Sequence, residues 1–585
     1  MDSSKNYLKK QDILLDNLNK NFKLPIEFNI KKKEILKNLK YDLELTMSKN
    51  NKNNYFYKNF FKPNNEIGNN LIKKWSKYYT SDIIFLKDSQ KLYKNNFNID
   101  KKLNEEMWDL WKSIKLDDSF FYKYQYISWE KFNFLNESSF FLFFFGIYCI
   151  LSPLLNILTP FIIMIIPFFI LKIMRVPITS ETYIEILKKQ LNKQIFGRLF
   201  TDFNSLNTKE KLYSFVGFGM YIYNIYQNFL SFYYFNKNIE LISKFFSNLH
   251  KFLDNLNKNL TILLDITSNY ESFINYNSYL KKKQENLKKL QKEILEIKKI
   301  KKNFKCLKNM GIILKYFYLI NKNKNLESDL LFGFGFNEFL NNINSINNHI
   351  INKELKKCKF IKKKNNIIKF KKCYIPFLET EENVVKNDIN FKNNVIITGP
   401  NASGKTTLIK VTLLNVLLSQ QIGYGFYSSG SLTPYDYLHC YINIPDTSSR
   451  DSLFQAEARR CKNILDSINK NKSAKHLCIF DELFSGTNPE EAVASAYAYL
   501  NYISNNSNIK FLLTTHFLKI CKLFQKNDSI TNYKMNININ ENNDMEYNYK
   551  IIKGISKIKG GINILKKLNF SPLIIDQTKK IIKTL

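Results

Sequence analysis

The chain has 585 residues and 44% apolar content, enough for three or four domains with hydrophobic cores. Its net charge of +37 is typical of proteins that bind nucleic acid or anionic membranes, but only five of its 88 basic residues are arginine, as an A/T-rich coding sequence produces. The eight cysteines form no C-x-x-C pair and no histidine lies at ligand spacing, which argues against a zinc site and favours a reducing compartment.

The N-terminal region, residues 1–137, is predicted to be helical. Residues 82–93 and 105–114 are amphipathic pieces with apolar side chains at helical spacing. The first forty residues are rich in lysine and lack an apolar core, so we expect no cleavable signal and a cytosolic location for this region.

Residues 138–171 are thirty-four residues without a charged side chain. A straight helix of that length is about 51 Å long, well beyond the roughly 30 Å of a hydrocarbon core. Pro153, Pro160 and Pro167 interrupt it, so two shorter helices joined near residues 152–160 and one long kinked span both fit. We predict a membrane segment here. The alternative is an unusually apolar buried helix in a soluble protein.

A second uncharged stretch, residues 212–236, is a weaker candidate for a membrane span. It is long enough to cross, but Asn224, Gln227 and Asn228 lie near its middle, and its many Tyr and Phe residues suit an interface belt or a packed aromatic helix as well. Residues 138–236 are therefore predicted to form a membrane region, with lipid as a partner. The protein is thus predicted to be an integral membrane protein, and we expect its C-terminal domain to lie on the cytosolic side.

Residues 237–350 are predicted to form long helices. Part of this region has apolar residues in an a/d heptad pattern between Lys and Glu positions, which favours a coiled hairpin arm or a solvated amphipathic helix. The heptad residues are Leu280, Leu287, Leu290, Ile294, Ile297 and Phe304.

A phosphate-binding motif occupies residues 399–406, which fit G-x-x-x-x-G-K-[ST] completely. The apolar run 395–397 before it predicts a strand, and the apolar residues after it predict a helix whose N-terminus faces the anion. Lys405 would neutralise the β- and γ-phosphates, and the Thr406 hydroxyl would ligate Mg²⁺. The motif predicts that the chain binds ATP with Mg²⁺.

Two later strands end in side chains suited to hydrolysis. Residues 477–480 form an apolar run followed by Asp481 and Glu482, of which the first would act on the magnesium shell and the second on the attacking water. Another apolar run ends at His516, which could sense the γ-phosphate. The alternative for each is an ordinary polar residue at a strand end.

In this order and spacing, the C-terminal two hundred or so residues resemble the ATPase domain of the MutS family, relatives of the ABC-type ATPases. The segment 384–389 is similar to the one that frames the adenine, although the family has an aromatic residue where Val384 stands. Residues 452–457 are similar to the family signature S-x-F-x-x-E. The other matching segments are residues 398–407, 421–423, 481–483, 485–487 and 514–516.

The resemblance implies a composite site in a homodimer, in which Ser452 of one subunit caps the γ-phosphate bound by the other. The alternative for Ser452 is a helix N-cap without a ligand. Catalytic roles are implied for Glu482, Lys405 and His516, and magnesium ligation for Thr406 and Asp481. The implied ATP-binding residues are Gly399, Pro400, Asn401, Ala402, Ser403, Gly404, Lys405, Thr406, Thr407, Val384, Val385 and, in the neighbouring subunit's site, Ser452.

The predicted fold class is an α/β P-loop (ABC-like) ATPase domain at residues 366–585, preceded by a mainly α-helical region with transmembrane helices. In relatives of the MutS family a helical core and lever region stands where residues 237–350 stand here. Double-stranded DNA is a partner implied by the resemblance alone, because residues 1–137 show no aromatic-x-acid mismatch-reading element. Two alternatives are an ABC-type transporter subunit, disfavoured by the missing LSGGQ-like signature, and a membrane-tethering ATPase without a DNA ligand.

Overall fold

The structure is a computed structural model. It divides into two compact units, each described by itself. Unit 1 consists of Met1–Ile13, Asp100–Asn257 and Glu285–Leu330, and unit 2 of Leu14–Ile99, Lys258–Gln284 and Leu331–Leu585. The residues that the structure describes are 2–48, 54–175, 179–192, 207–299, 306–362, 366–377, 384–442, 452–539, 545–558, 562, 565 and 568–584.

The N-terminal region is mainly helical, as the sequence predicts, and the two amphipathic pieces are helices α5 and α6. A short antiparallel sheet, which the sequence reading did not include, pairs β1 with β2. The elements are α1 (Asp2–Asn21), β1 (Lys32–Glu34), α2 (Lys37–Asp42), α3 (Phe56–Phe61), α4 (Glu66–Trp75), β2 (Tyr78–Thr80), α5 (Ile83–Leu92), α6 (Lys101–Lys115) and α7 (Phe120–Lys123).

The apolar region that follows belongs to unit 1 and forms three helices. α8 (Ser139–Ile173) is a single continuous helix with three prolines inside it. The structure therefore has one long helix here and not the two shorter helices that the sequence also allowed. Ser138 caps α8 by accepting a hydrogen bond from the amide of Phe141. α9 (Ser180–Asn192) is amphipathic, and α10 (Thr208–Thr267) belongs to unit 1 as far as Asn257.

Three more helices complete the α-helical part: α11 (Ile274–Lys299), α12 (Cys306–Lys322) and α13 (Lys324–Ile351). The heptad positions Leu280, Leu287, Leu290 and Ile294 are buried, which confirms the predicted apolar face of α11. The side chains of the last two heptad positions, Ile297 and Phe304, lie outside the described residues.

Unit 2 contains two larger sheets. Their strands are β3 (Lys356–Phe360), β4 (Ile368–Cys373), β5 (Asn387–Phe391), β6 (Asn394–Thr398), β7 (Tyr424–Gly425), β8 (Ser429–Leu432), β9 (Tyr437–Tyr441), β10 (His476–Asp481), β11 (Ile509–Thr515), β12 (Ile530–Ile539) and β13 (Met545–Lys553). The six-stranded sheet has the order β13-β12-β6-β11-β10-β9 and is parallel except for β13 at its edge. The five-stranded sheet is mixed and has the order β5-β4-β8-β3-β7.

Helices cover the six-stranded sheet and bury its apolar strands. They are α14 (Lys405–Ile422), α15 (Leu453–Lys470), α16 (Pro489–Ser504) and α17 (Leu518–Leu523). A last helix, α18 (Pro572–Thr584), is mostly exposed. All five residues of β6 and all seven of β11 are buried, as central parallel strands between helical layers require. This mixed α/β architecture agrees with the predicted fold class for the C-terminal domain.

Residues 14–99 belong to the same unit as this α/β domain and are tied to the end of α14. Gln421 accepts a hydrogen bond of 2.6 Å from the Tyr57 hydroxyl, and its amide donates to the carbonyls of Trp75 and Tyr78 at 2.7 and 2.9 Å. Gly423 follows with φ +79°, a conformation that ends the helix and favours glycine. The matched segment 421–423 therefore fastens the N-terminal region to the α/β domain.

Candidate functional site

The site lies at the carboxyl edge of the six-stranded sheet, where three parallel strands end together. Asp481 on β10 is in register with Thr514 on β11, and Thr515 is in register with Thr398 on β6. The loop after each strand therefore reaches the same edge, which is where open α/β sheets bind ligands.

The loop after β6 has the backbone that a phosphate cradle needs. Ala402 and Gly404 have φ values of +60° and +88°, and α14 begins directly after them at Lys405. A Cβ on Gly399 would lie 2.8 Å from the Ser403 hydroxyl oxygen, so the loop also needs glycine at its start. The predicted residues 399–407 thus form a tight loop at a helix N-terminus.

Lys405 is buried at the mouth of this loop. Its ammonium group donates to the carbonyls of Gly399 and Pro400 at 3.0 and 3.1 Å and lies 4.0 Å from the Glu482 carboxylate. Burial lowers the pKa of Lys405, and the Glu482 and Asp481 charges oppose that shift. A buried ammonium group of this kind is suited to neutralise phosphate oxygens.

Asp481 is the polar end of the buried strand β10. One carboxylate oxygen accepts a 2.8 Å hydrogen bond from the Thr406 hydroxyl, and the other accepts from the Thr514 hydroxyl. Burial raises the pKa of Asp481, while these two hydroxyl donors oppose the shift. Thr406 and Asp481, the two predicted magnesium ligands, are therefore adjacent, and a hydroxyl with a carboxylate is an oxygen donor set that fits Mg²⁺.

Glu482 and His516 are hydrogen-bonded beside Lys405. The distance from His516 Nε2 to the nearer Glu482 carboxylate oxygen is 2.8 Å, and Nε2 also lies 3.1 Å from Lys405 Nζ. One nitrogen cannot serve both neighbours, and we assign its proton to the carboxylate because a charge-assisted hydrogen bond is the stronger. The hydrogen bond from His516 lowers the pKa of Glu482, which is therefore ionised at neutral pH and able to accept a proton.

A cavity of about 390 Å³ opens from the phosphate loop toward the five-stranded sheet. Val384 and Val385 line it, as predicted for an adenine-framing segment, together with Glu482. The sequence reading missed two aromatic lining residues, Tyr374 and Tyr549. The alternating pattern of β13 marks Tyr549 as one face of an edge strand, but only the folded sheet brings that strand beside the loop.

These tyrosines supply aromatic surface that Val384 lacks. Tyr549 packs over the phosphate loop, with Cδ1 3.1 Å from where a Cβ of Gly404 would lie. The Lys386 ammonium group lies 4.6 Å from the centre of the Tyr374 ring. A purine base could pack against aromatic rings here although the position matched to the family's aromatic residue is valine.

Ser452 lies outside the cavity and caps α15. Its hydroxyl accepts a 3.3 Å hydrogen bond from the Gln455 amide, and the Gln455 side chain accepts one of 3.2 Å from the Ser452 amide. This capping box is the local arrangement that the N-cap alternative predicts. Ser452 is exposed, so the N-terminus of α15 is accessible to a second subunit even though Ser452 caps the helix.

Glu457, one turn further along α15, is buried and holds the loop that follows Glu482. One of its carboxylate oxygens accepts from the amide and hydroxyl of Ser485 at 3.2 and 3.0 Å, and the other accepts from the Gly486 amide at 3.2 Å. The signature helix is thereby joined to the catalytic carboxylate through its loop, a link that the sequence motif did not reveal.

Comparison with known proteins identifies this part of the chain. Residues 395–585 match the family model MutS domain V. The match begins within β6 and includes the phosphate loop, the Asp481–Glu482 pair and His516. It supports a relationship of residues 395–585 to the MutS family, in agreement with the resemblance drawn from the motifs.

Curated relatives align with the same part of the chain. The DNA mismatch repair protein MutS of Orientia tsutsugamushi (strain Ikeda) is 28% identical over 205 residues, 34% of this chain and 22% of the relative. The protein of the same name from Caldicellulosiruptor saccharolyticus is 29% identical over 210 residues, 35% of this chain and 24% of the relative. Endonuclease MutS2 of Staphylococcus aureus is 28% identical over 242 residues, 40% of this chain and 32% of the relative. The chain thus spans less than a third of the length of these relatives.

Proposed function

We propose that this protein is a membrane-anchored MutS-type ATPase that hydrolyses ATP in composite sites shared by two copies of the chain. The observation that carries the ATPase assignment is the convergence of Lys405, Thr406, Asp481, Glu482 and His516 at one sheet edge. Each side chain has the contact its role needs, and the MutS domain V match covers all five.

The chemistry follows from the charges. The loop amides and Lys405 would bind the phosphates, and Thr406 with Asp481 would hold Mg²⁺, which supplies a positive charge against the phosphate oxygens. Glu482, kept ionised by His516, would accept a proton from the attacking water. The His516 ring would then lie beside both the carboxylate and the Lys405 ammonium, close to the charge that develops in the transition state.

A pair of variants on α14 tests the ATPase assignment. Lys405→Ala should abolish ATP binding and Mg²⁺-dependent phosphate release. Lys410→Ala, on the same helix outside the cavity lining, should leave both unchanged. Phosphate release by purified Lys405→Ala protein at the wild-type rate would refute the assignment.

Membrane anchoring is supported by the exposure of α8. By length and composition Ser139–Ile162 is the one described helix apolar enough to cross a bilayer, with mean hydropathy 2.1 and only 28% of that stretch buried. A core helix of a soluble protein would be mostly buried instead. We expect the protein to remain in the membrane pellet after alkaline carbonate extraction, and release of the intact chain into the supernatant would refute anchoring.

Duplex DNA is the second ligand that we propose, because the names of the aligned relatives refer to mismatch repair and to an endonuclease. The aligned part is the ATPase domain, so this proposal rests on the relatives and on the net charge of +37. A transporter subunit is disfavoured by the same alignments.

A further inference from the structure

Within unit 1, α8 and the first half of α10 form an antiparallel hairpin. The Tyr221 hydroxyl donates a 2.8 Å hydrogen bond to the Asn156 carbonyl, and Phe235 lies 3.4 Å from where a Cβ of Gly146 would be. The two contact pairs run in opposite sequence order: Asn156 and then Gly146 going back along α8, but Tyr221 and then Phe235 going forward along α10. Two helices with this register run side by side in opposite directions.

The start of α8 is packed against α12, whereas the remainder contacts α10 and α9 on part of its surface and is otherwise exposed. α12 crosses α8 so closely that a Cβ on Gly311 would lie 1.9 Å from the Ser139 carbonyl, and one on Gly146 would lie 2.3 Å from the Met310 methyl group. Beyond this crossing, the apolar side chains of α8 face outward. The exposed ones are Leu151, Leu154, Leu155, Ile157, Leu158, Phe161, Ile162, Met164, Ile165, Ile166, Phe168, Phe169 and Ile170.

α10 changes its surroundings along its length. In residues 212–234 the large apolar side chains are mostly exposed, among them Phe215, Ile222 and Phe229, and no residue from 212 to 236 is charged. From Ile242 to Leu256 the apolar side chains are buried and charged residues return. One helix therefore has exposed apolar side chains and no charge in its first half, and buried apolar side chains with exposed charged ones further along.

Two of the three carbonyls that the prolines of α8 leave without their usual N–H donor accept a hydroxyl hydrogen bond instead. Pro153 and Pro160 have no N–H to donate to the carbonyls four residues earlier, those of Cys149 and Asn156. The Ser152 hydroxyl donates to the first at 3.3 Å, and the Tyr221 hydroxyl donates to the second. Water would make such bonds at an aqueous surface, whereas in lipid they must come from the protein.

We propose that this hairpin crosses a lipid bilayer twice. α8 is the more apolar span, and the uncharged first half of α10, which by itself is not apolar enough to be a candidate span, crosses as its packed partner. The connection that contains α9 then begins and ends on the side opposite to the start of α8. The proposal rests on the membrane anchoring proposed above and adds its topology. A bilayer fits better than a protein partner because uncharged apolar residues are exposed around both helices. The span from Leu151 to Ile173 is about 35 Å long, close to the roughly 30 Å of a hydrocarbon core. Arg175 after α8 and Lys209 and Lys211 at the start of α10 mark the far edge. α9 begins close to this edge and folds back toward α8, where the Tyr183 hydroxyl donates to the Met164 carbonyl.

Protease protection tests the topology on the full-length chain. The protein is expressed in bacteria with one cleavage site inserted after Lys189 in α9 and another at the C-terminus, and sealed inside-out vesicles are treated with protease. The hairpin predicts that the C-terminal site is cut at once and that the α9 site is cut only after detergent is added.

The other outcomes separate the two proposals. If both sites are cut without detergent while the chain resists carbonate extraction, the hairpin does not cross, and the topology is refuted although anchoring stands. If carbonate releases the chain, anchoring itself fails. ATP hydrolysis measured on the same vesicles confirms that the tagged chain is folded.

A matched pair of variants tests lipid as the environment. Phe161→Lys puts a charge in the middle of the exposed band and should reduce the carbonate-resistant fraction several-fold. Tyr122→Lys, at an exposed aromatic residue of α7 outside the band, should leave it unchanged. Equal membrane retention of the two variants, both with wild-type ATPase activity, would refute a lipid-facing position for Phe161.

Discussion

At the residue scale, the site contains two neighbouring carboxylates whose pKa values are shifted in opposite directions. Asp481 is buried against two hydroxyl groups, and burial raises its pKa, whereas His516 lowers the pKa of Glu482. Adjacent acids with opposite pKa shifts suit the two roles proposed above, Asp481 toward Mg²⁺ and Glu482 toward the attacking water. Of the two, Glu482 is the one that contacts His516 directly.

We predict that Glu482→Gln slows ATP hydrolysis by about 10²- to 10⁴-fold while ATP binding persists, because the amide cannot accept the proton of the attacking water. Single-turnover hydrolysis and equilibrium nucleotide binding measure the two effects. Glu491→Gln, which neutralises an exposed acid on α16, is the control. Hydrolysis at the wild-type rate in Glu482→Gln would show that another group is the base.

Glu457 is a positioning residue, since it acts through the loop after Glu482. In the wild type both carboxylate oxygens of Glu457 accept hydrogen bonds from backbone N–H groups of the loop. In Glu457→Gln one of these oxygens is replaced by an NH₂ group, which cannot accept. We expect this to destabilise the ordered loop by about 1–3 kcal/mol. The predicted result is a kcat at least tenfold lower with an unchanged Kd for ATP, measured by steady-state kinetics and binding. Glu490→Gln is the control, and a rise in Kd without a fall in kcat would contradict the positioning role.

At the element scale, α15 and the α8–α10 hairpin each join distant parts of the chain. α15 carries an exposed N-terminus at Ser452 and, one turn later, the buried Glu457 that holds the catalytic loop. A ligand that contacts the start of this helix can therefore influence the loop of its own subunit. This connection gives the proposed composite site a physical route for coordination between two copies.

Variants at Ser452 distinguish its role as a helix cap from its proposed role in the ATP site of the neighbouring subunit. Asn caps a helix as well as Ser does, so Ser452→Asn should keep α15 intact, while Ser452→Ala loses the cap. If Ser452 completes the neighbouring site, both variants should lose hydrolysis, and mixing Lys405→Ala with Ser452→Asn subunits should restore partial activity. Wild-type hydrolysis by Ser452→Asn would favour the cap role alone. The measurement is ATPase activity of mixtures in which heterodimers have been verified.

The hairpin offers a rescue experiment. Tyr221→Phe removes the only described donor to the Asn156 carbonyl and should destabilise the hairpin by about 1–3 kcal/mol. Adding Pro160→Ala restores an N–H for the same carbonyl and should recover much of the loss. Thermal unfolding in detergent measures both variants, with Tyr223→Phe as the control. Additive destabilisation by the two changes would contradict the proposed pairing.

At the scale of the whole molecule, the composition of the positive charge determines how nucleic acid could be bound. The excess of 37 positive charges comes almost entirely from lysines, which contact phosphate without reading bases. DNA binding should therefore depend strongly on salt and weakly on sequence.

We predict that the detergent-solubilised protein binds duplex DNA with an affinity that falls on the order of 10³-fold between about 50 and 200 mM salt, as contacts to several phosphates require. Fluorescence anisotropy with matched and mismatched duplexes measures affinity and preference. A preference for the mismatched duplex at all salt concentrations would reveal base recognition beyond charge. No binding at about 50 mM salt would leave an ATPase without a DNA ligand.

The sequence by itself determined which residues form the proposed nucleotide site. The phosphate loop, the Asp481–Glu482 pair and His516 are local motifs at strand ends, and parallel strands bring their carboxyl ends to one edge whatever their side chains. The heptad face of α11 and the apolar character of α8 could also be predicted from the sequence, because periodicity and composition are properties of a short segment.

Only the tertiary structure decided the features that depend on distant contacts. It placed Tyr374 and Tyr549 on the cavity wall, fastened residues 14–99 to α14 through Gln421, and linked Glu457 to the catalytic loop. It also placed the Tyr221 hydroxyl of α10 beside the Asn156 carbonyl of α8, which Pro160 leaves without its usual N–H donor. These partners lie far apart in sequence, so no local pattern of residues predicts that they are in contact.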